Sequence, residues 1–362
     1  MAYYQKRGKT WQARISWVDV QGERHTKSKG GFSTKAAAKL WGFENENRLR
    51  QGVNIGKAIS FYDYFCRWVE TYKEGQVSHV SLVRYQTTEN DIKSFFGNTQ
   101  IKDVTRSKYQ SFINHFGADH APSTVQKING FIRACVKSAI LDDYLLKDFT
   151  QGVSLTSNKE KIKNVEYLNL EEIQKLTKWL AANLNPNFTS RYMILTAIYT
   201  GMRLSEIQGL TWKDVNFLHQ KITINKSWDA VNKKFKDTKN QSSKRTIKVN
   251  PELLAYLVQL HSRNNSTMVF MNCYGDIPTS GAVNKSLRTA LEALKFKKQG
   301  FHFHSLRHSH VALLLSQGID LYAISKRLGH SNMTTTSNTY AYLIDEYKDK
   351  TDEQIVEALK TL

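Results

Sequence analysis

The chain is 362 residues long, 40% hydrophobic and 11% aromatic, which supplies apolar cores for two or three domains and excludes a globally disordered chain. Lysine and arginine number 52 against 32 acidic residues, a net charge of +20 that points to a polyanionic partner, nucleic acid before a membrane surface. No apolar run reaches the ~18 residues of a membrane span, the N-terminus carries no apolar leader, and three scattered cysteines (Cys66, Cys135, Cys273) support neither a disulfide framework nor a cysteine-rich zinc site, so a reducing cytoplasm is expected.

The positive charge sits at both ends. Residues 1–57 hold 12 Lys/Arg against 4 Asp/Glu, residues 58–153 hold 11 against 10, and residues 154–362 hold 29 against 18. This predicts a multidomain α+β chain with modules at 1–57 and 58–153, a linker over 154–164, a third module over 165–350 and a tail over 351–362.

The first module reads as sheet then helix. Trp11, Ala13, Ile15 and Trp17 alternate with Gln12, Arg14 and Ser16, the period of a half-buried strand. Gln21-Gly22 is a turn signal, and Glu23 to Ser28 returns as the partner strand. Ser33 or Thr34 caps a helix through Ala36, Ala37, Ala38, Leu40 and Trp41 to about Arg50. Lys6, Arg7, Lys9, Arg14, Arg24, Lys27 and Lys29 lie on or beside the strands. A two-stranded ribbon fits the major groove, so DNA contact by this small basic sheet is expected; a solvated basic surface is the alternative.

The second module reads as a helical bundle. Phe61, Tyr64, Phe65, Trp68, Val69 and Tyr72 fall at helical spacing, as do Leu82, Tyr85, Ile92, Phe95 and Phe96. A third helix is expected over Arg106 to Phe116, and a fourth after Pro122-Ser123 through Ile140. These aromatic stripes read as core rather than as a base-stacking platform. Gln151 to Glu160 has linker composition, followed by the basic run Lys159, Lys161 and Lys163. A flexible basic linker there, with Lys161 and Lys163 on phosphates, and a plain solvated linker are both open.

The third module is mixed and mainly helical, with a small antiparallel sheet. A helix begins at Leu170, and further helical patterns cover 190–200, 204–210, 251–261, 282–294, 304–317 and 319–328. Residues 221–226 and 245–249 alternate as strands joined by a Lys-rich hairpin. The tail is acidic, with Ile355, Val356, Leu359 and Leu362 as one apolar stripe that needs a surface on its own domain or on a neighbouring protomer.

Phosphate-loop, zinc-helix and nucleophile-elbow signatures are missing from the sequence. What the third module offers is Arg, Lys, His and Tyr. In Thr200-Gly201-Met202-Arg203-Leu204-Ser205-Glu206, the glycine permits a tight turn and Glu206 can orient Arg203 or cap the helix. Lys239 is expected at a hairpin tip, among lysines that are otherwise merely solvated. His304 and Arg307, three apart on a helix, can meet one phosphate. The neighbouring His302, His308 and His310 raise a zinc alternative, weakened because no cysteine or close carboxylate joins them. Gly329 ends a helix, His330 follows in the turn, and Tyr340 comes ten residues later.

Gly-x-Arg203-x-x-Glu206, Lys239 in a hairpin, His304-x-x-Arg307, Leu328-Gly329-His330 and Tyr340 together resemble the tyrosine recombinases, over about 165–345. The first module resembles the arm-type DNA-binding domain of phage and conjugative-element integrases, and the second their core-binding domain. The resemblance implies a site-specific integrase in which Tyr340 attacks a DNA phosphate to give a 3′-phosphotyrosine. It implies Arg203 and Arg307 as a clamp, Lys239 as general acid to the 5′-oxygen, His304 in proton transfer or phosphate holding, and His330 as a donor to the phosphate. No metal, ATP or other cofactor is implied. The implied partners are double-stranded DNA at core- and arm-type sites, three further protomers in a tetramer, a host DNA-bending protein and an excision factor. Many relatives carry His two positions after the tyrosine. Tyr342 stands there, making Tyr342 a second candidate nucleophile and Tyr347 a third, while the register from His330 favours Tyr340. Alternatives are a catalytically silent DNA-binding regulator, a resolvase-like recombinase and a type IB topoisomerase.

Overall fold

The computed structural model describes residues 2–18, 23–50, 59–162, 166–238, 241–262 and 266–331, together with Thr334, Ser337, Tyr340, Leu359 and Lys360. Lys163, Lys239, Tyr342, Tyr347 and the apolar stripe expected of the tail, Leu359 excepted, lie outside the described residues. The chain divides into two compact units, Met1–Lys163 and Asn164–Leu362. Among the described residues no helix is long and apolar enough to cross a membrane.

The first unit opens on a three-stranded antiparallel sheet of β1 (Ala2–Arg7), β2 (Thr10–Val18) and β3 (Arg24–Phe32), in that order. Strand β1 is an addition to the sequence reading. Its Ala-Tyr-Tyr-Gln-Lys-Arg has no apolar alternation of its own, and its extended form comes from pairing with β2. Helix α1 (Lys35–Arg50) follows, capped by the Thr34 hydroxyl, which accepts from the Ala37 amide at 3.1 Å. Ala13, Ile15 and Ala38 are fully buried between helix and sheet, and a Cβ at Gly42 would strike the Tyr4 ring.

Helices α2 (Phe61–Tyr72), α3 (His79–Phe96), α4 (Arg106–Ala118) and α5 (Pro122–Leu141) form the bundle. Phe61, Phe96 and Phe149 meet edge to face, and Phe112 and Tyr109 continue the aromatic core. Buried tips are satisfied: Tyr64 donates to Asp142 at 2.6 Å and the Trp68 indole to the Ser138 hydroxyl at 2.9 Å.

The segment expected as a flexible linker is docked over 154–158. Gln110 on α4 bonds both the amide and the carbonyl of Ser154, at 2.9 and 2.8 Å. Thr156 donates to Asn114, and Asn158 donates to the Ala118 carbonyl at the end of α4. The polar residues that gave the stretch its linker composition are the ones that fix it. Gly117 makes the approach possible, because a Cβ there would collide with the Thr156 carbonyl.

In the second unit, α6 (Leu170–Ala182), α7 (Ser190–Thr200), α9 (Pro251–His261), α10 (Ser280–Ala293) and α11 (Phe303–Ser316) surround one core. Asn169 and Glu172 close a reciprocal cap at the start of α6. Helix α7 is central, with Tyr192, Met193, Ile194 and Leu195 fully buried. Short helices α8 (Leu204–Gln208) and α12 (Leu321–Leu328) complete the helical set. Strands β4 (Val215–Asn216), β5 (Lys221–Ile224) and β8 (Arg245–Lys248) form one antiparallel sheet, with Ile222 opposite Ile247. Strands β6 (Ser227–Asp229) and β7 (Lys234–Lys236) form a separate hairpin. Its tip is Ala230–Lys233.

Alanine is the better helix former by about 1 kcal/mol, yet Gly117→Ala is expected to lower stability by about 1–3 kcal/mol, because overpacking against a docked backbone outweighs propensity. Urea denaturation of the full chain checks the sign.

Candidate active site

Helix α7 stops at Gly201, whose φ of +66° turns the chain sharply. A Cβ there would overlap the His310 ring and Leu328, so backbone from α7 lies directly against α11 and α12. That closeness makes the next contacts possible. Arg307 on α11 is 2% exposed and donates one Nη1–H to the Gly201 carbonyl at 2.7 Å. Its Nη2 donates to the Leu328 carbonyl and to His330 Nε2, each at 2.8 Å. A guanidinium has no acceptor, so His330 Nε2 must be the acceptor and the ring proton sits on Nδ1. The donor expected of His330 toward a phosphate is therefore its Nδ1–H.

Arg203 caps α8 and is held by Glu206. The Glu206 carboxylate accepts from the Arg203 amide at 3.0 Å and from its Nη1 at 2.8 Å. It also accepts from both Nη atoms of Arg245, at 3.2 and 3.0 Å. Burial alone would push Glu206 up, but the Arg245 charge and the bonds from Arg245 and Arg203 hold it below the usual carboxylate range. Arg245 reaches further, with Nε donating to the Arg327 carbonyl at 2.7 Å and the guanidinium against Gly329. It ties β8 to α8 and to the C-terminal end of α12. The sequence reading passed over Arg245; its sign was a long cation at the first position of an alternating strand.

Positive charge and burial set the histidines. Burial, then Arg307, pulls His330 down to about 4. Burial, then His304 and Arg307, pulls His308 down to about 4. Burial lowers His304 too, followed by Arg307, His302 and Arg203, although one side of its ring is open to solvent. All three are neutral at pH 7. Burial, then Arg203, lowers Arg307 to about 9, which leaves it charged. The charges of Arg203 and Arg307 thus act on both His304 and His330, and the Arg203 side chain keeps 26% of its surface exposed.

Tyr340 is 1% exposed, packed with Val311, Ala312, Ile324 and Leu328. Its hydroxyl is 2.8 Å from His308 Nδ1, and its field acts on Arg307. The other two histidines near Arg307, His310 and His302, have partners of their own. His310 bonds the Ile198 carbonyl through Nδ1 at 2.8 Å and accepts from Arg327 through Nε2 at 3.2 Å. His302 Nδ1 faces the Gly300 carbonyl and the Ser305 hydroxyl. Among the described residues no three His, Cys, Asp or Glu side chains are grouped to hold a metal ion.

Of the seven basic residues named, Lys9 lies in the turn between β1 and β2, and the other six do not share one face of the sheet. Cross-strand partners point the same way, and Ala13 and Ile15, buried under α1, pair with Lys29 and Lys27. Lys6 pairs with Trp11 and belongs to that same face. Arg14, paired with Tyr3 and Ser28, projects from the opposite, open face with Arg7 and Arg24. Lys161 is exposed in a short turn of the first unit.

Three family descriptions match successive stretches: an arm DNA-binding domain over residues 1–49, the N-terminal SAM-like domain of phage integrases over 60–117, and the phage integrase family over 166–346. The integrase of Staphylococcus phage L54a is 27% identical over 353 residues, covering 88% of this chain and 99% of that protein. The ICEBs1 integrase of Bacillus subtilis is 25% identical over 330 residues, covering 86% of each. In structure, the Tn1549 transposon integrase solved with transposon right end DNA superposes with a TM-score of 0.69 at 17% identity, covering 82% of this chain and all of that one. A lambda integrase dimer bound to a core site gives 0.62 at 14% identity, covering 93% of each chain.

Removing the Glu206 carboxylate leaves two buried or half-buried guanidiniums without their shared partner. Glu206→Ala is expected to cost about 3–5 kcal/mol at pH 7. Because the folded pKa lies below the ordinary value of 4.5, the wild-type advantage is present above that value and disappears as pH falls through the folded pKa. Urea midpoints of wild type and variant from pH 7 to pH 3 check both the size and the convergence. With a matched description spanning half the chain and both integrases aligned along most of it, this chain belongs to the phage integrase family of tyrosine recombinases.

Proposed function

We propose that the chain is a site-specific DNA integrase of the bacterial cytoplasm that inserts a mobile element and, with an excision factor, removes it. The observation that carries this reading is the pair of anchored guanidiniums, Arg203 held by Glu206 and Arg307 held by two backbone carbonyls, with Tyr340, bonded to His308, acting on Arg307 through its charge. Residues 1–57 bind arm-type sites, residues 58–153 bind the core site, the 154–164 segment joins them to the catalytic module over 165–350, and residues 351–362 form a tail. Four protomers assemble on paired sites. A lambda integrase tetramer bound to a Holliday junction, similar in fold at a TM-score of 0.61, supports that assembly.

The Tyr340 oxygen attacks the scissile phosphorus, and the bond to the 5′-oxygen breaks as the 3′-phosphotyrosine forms. Arg203 and Arg307 stabilise the non-bridging oxygens as charge builds in the transition state. Lys239 protonates the departing 5′-oxygen. His304, on the open side, and His330, through Nδ1–H, bond the phosphate. The energy of the phosphodiester stays in the tyrosyl ester, so the reverse attack by a 5′-hydroxyl needs no nucleotide. A silent regulator has no use for this complete set, which speaks for an enzyme.

The substrate for testing is a core duplex selected by the full-length chain from a randomised DNA pool, then synthesised with a nick that traps the covalent adduct. Tyr340→Phe is expected to bind this duplex normally and to form no adduct on a denaturing gel; an adduct from the variant would move the nucleophile to Tyr342. Adduct formation by wild type is expected to persist in excess EDTA, since the cations at the phosphate are side chains. A yield lost on chelation and restored by a divalent ion would overturn that.

On the arm side, Arg7, Arg14 and Arg24 share the open face of the sheet. Changing all three to Ala is expected to reduce the slope of log affinity against log salt by about 3, at roughly 0.9 per phosphate contact. The ligand is a long duplex selected by the wild-type chain. Core-duplex cleavage is expected to be unaffected, and an unchanged salt slope would remove the arm reading of that face.

A further inference from the structure

Tyr340 must lose its hydroxyl proton when its oxygen attacks, and with His304 and His330 on the phosphate and Lys239 on the 5′-oxygen the proposed reaction leaves that proton without an acceptor. Its ring is locked by Val311, Ala312, Ile324 and Leu328, so the direction of the hydroxyl is set by packing. That direction is toward His308, with 2.8 Å between the oxygen and Nδ1 and ring centroids 5.5 Å apart. His308 follows Arg307 directly on α11 and stands one turn after His304, whose ring meets it edge to face at 5.2 Å. We propose that His308 is a catalytic residue whose Nδ1 takes the hydroxyl proton of Tyr340 as the phenolic oxygen attacks the phosphate. The inference rests on Tyr340 being the nucleophile.

The groups whose charge acts on His308 are His304, Arg307 and His302, all cationic or neutral, and Tyr340 faces it from beyond α12. In the free protein burial and these neighbours keep the ring neutral, and with its single proton on Nε2 the ring offers the Nδ1 lone pair to the phenol. A phenol of pKa about 10 is almost wholly protonated at pH 7. Arrival of a phosphodiester anion adds the negative charge that the pocket lacks and raises the basicity of the imidazole. The proton then moves from Tyr340 to Nδ1 while the bond to phosphorus forms and the 5′-oxygen leaves with the proton of Lys239. In rejoining, a 5′-hydroxyl attacks, Lys239 regains a proton, and the imidazolium returns its own to the tyrosine oxygen. No co-reactant is consumed, and tyrosine activation depends on DNA being in place.

The test uses full-length protein on the nicked selected core duplex, with His308→Asn, His308→Gln, Tyr340→Phe and Lys239→Ala compared at pH 6–9. Wild-type affinity for the duplex reports on folding. Both His308 variants are expected to form adduct about 100-fold more slowly or worse, the usual scale of a lost proton acceptor. Their rates are expected to climb about tenfold per pH unit, as ionised tyrosine replaces the missing base, whereas wild type levels off above neutrality. Replacing the bridging 5′-oxygen by sulfur, which leaves without protonation, is expected to rescue Lys239→Ala and to leave both His308 variants slow. Four results would overturn the proposal: a wild-type rate in the variants, faster cleavage, a slow rate with the wild-type pH profile, or rescue by sulfur. Adduct formation by Tyr340→Phe would instead refute the nucleophile assignment, and an inert Tyr340→Phe beside fully active His308 variants would refute only the role of His308.

Discussion

Glu206 keeps only 3% of its surface exposed, and a carboxylate taken that far from water is stable only with charged donors around it. It has two, on different elements. Arg203 stands at the start of α8 and Arg245 at the start of β8, and both bond the same two oxygens. Arg245 in turn holds the Arg327 carbonyl near the end of α12, one residue before the Leu328 carbonyl that accepts from Arg307. Both arginines of the proposed clamp therefore owe their positions to connected contacts.

The same crowding explains the histidines. Burial and the gathered arginines make further positive charge unfavourable, so His308 and His330 are neutral. Direction then follows from chemistry. Arg307 can only donate, which fixes Nε2 of His330 as acceptor. Arg327 does the same to His310, whose other nitrogen bonds the Ile198 carbonyl.

Much of this was legible in the sequence, because helices with apolar stripes and side-chain caps carry their own signals: Phe61–Tyr72, Leu170–Ala182 and Pro251–His261 are examples. Arg203, Glu206 and His330 were legible through short motifs anchored by glycines and Arg307 through its helical spacing from His304, and Glu206, Arg307 and the histidines act on one another in the structure. What escaped were features made by partners distant in sequence. Strand β1 extends because β2 is beside it, and 154–158 is ordered because α4 presents Gln110 and Asn114. Arg245 is 39 residues from Glu206, and His308 is 32 from Tyr340. The basic residues of the sheet were identified individually, but their division between two faces needed the register.

The anchoring of Arg307 has a consequence for stereochemistry. Three of its five N–H bonds are already committed, to Gly201, Leu328 and His330, while Arg203 is oriented separately through Glu206. The two guanidiniums cannot exchange places or rotate into each other's roles. A phosphodiester of the DNA backbone has two non-bridging oxygens, equal in charge, on a prochiral phosphorus. In the proposed reaction these oxygens meet different arginines, held by different parts of the fold, so the two sides of the phosphorus are distinguished.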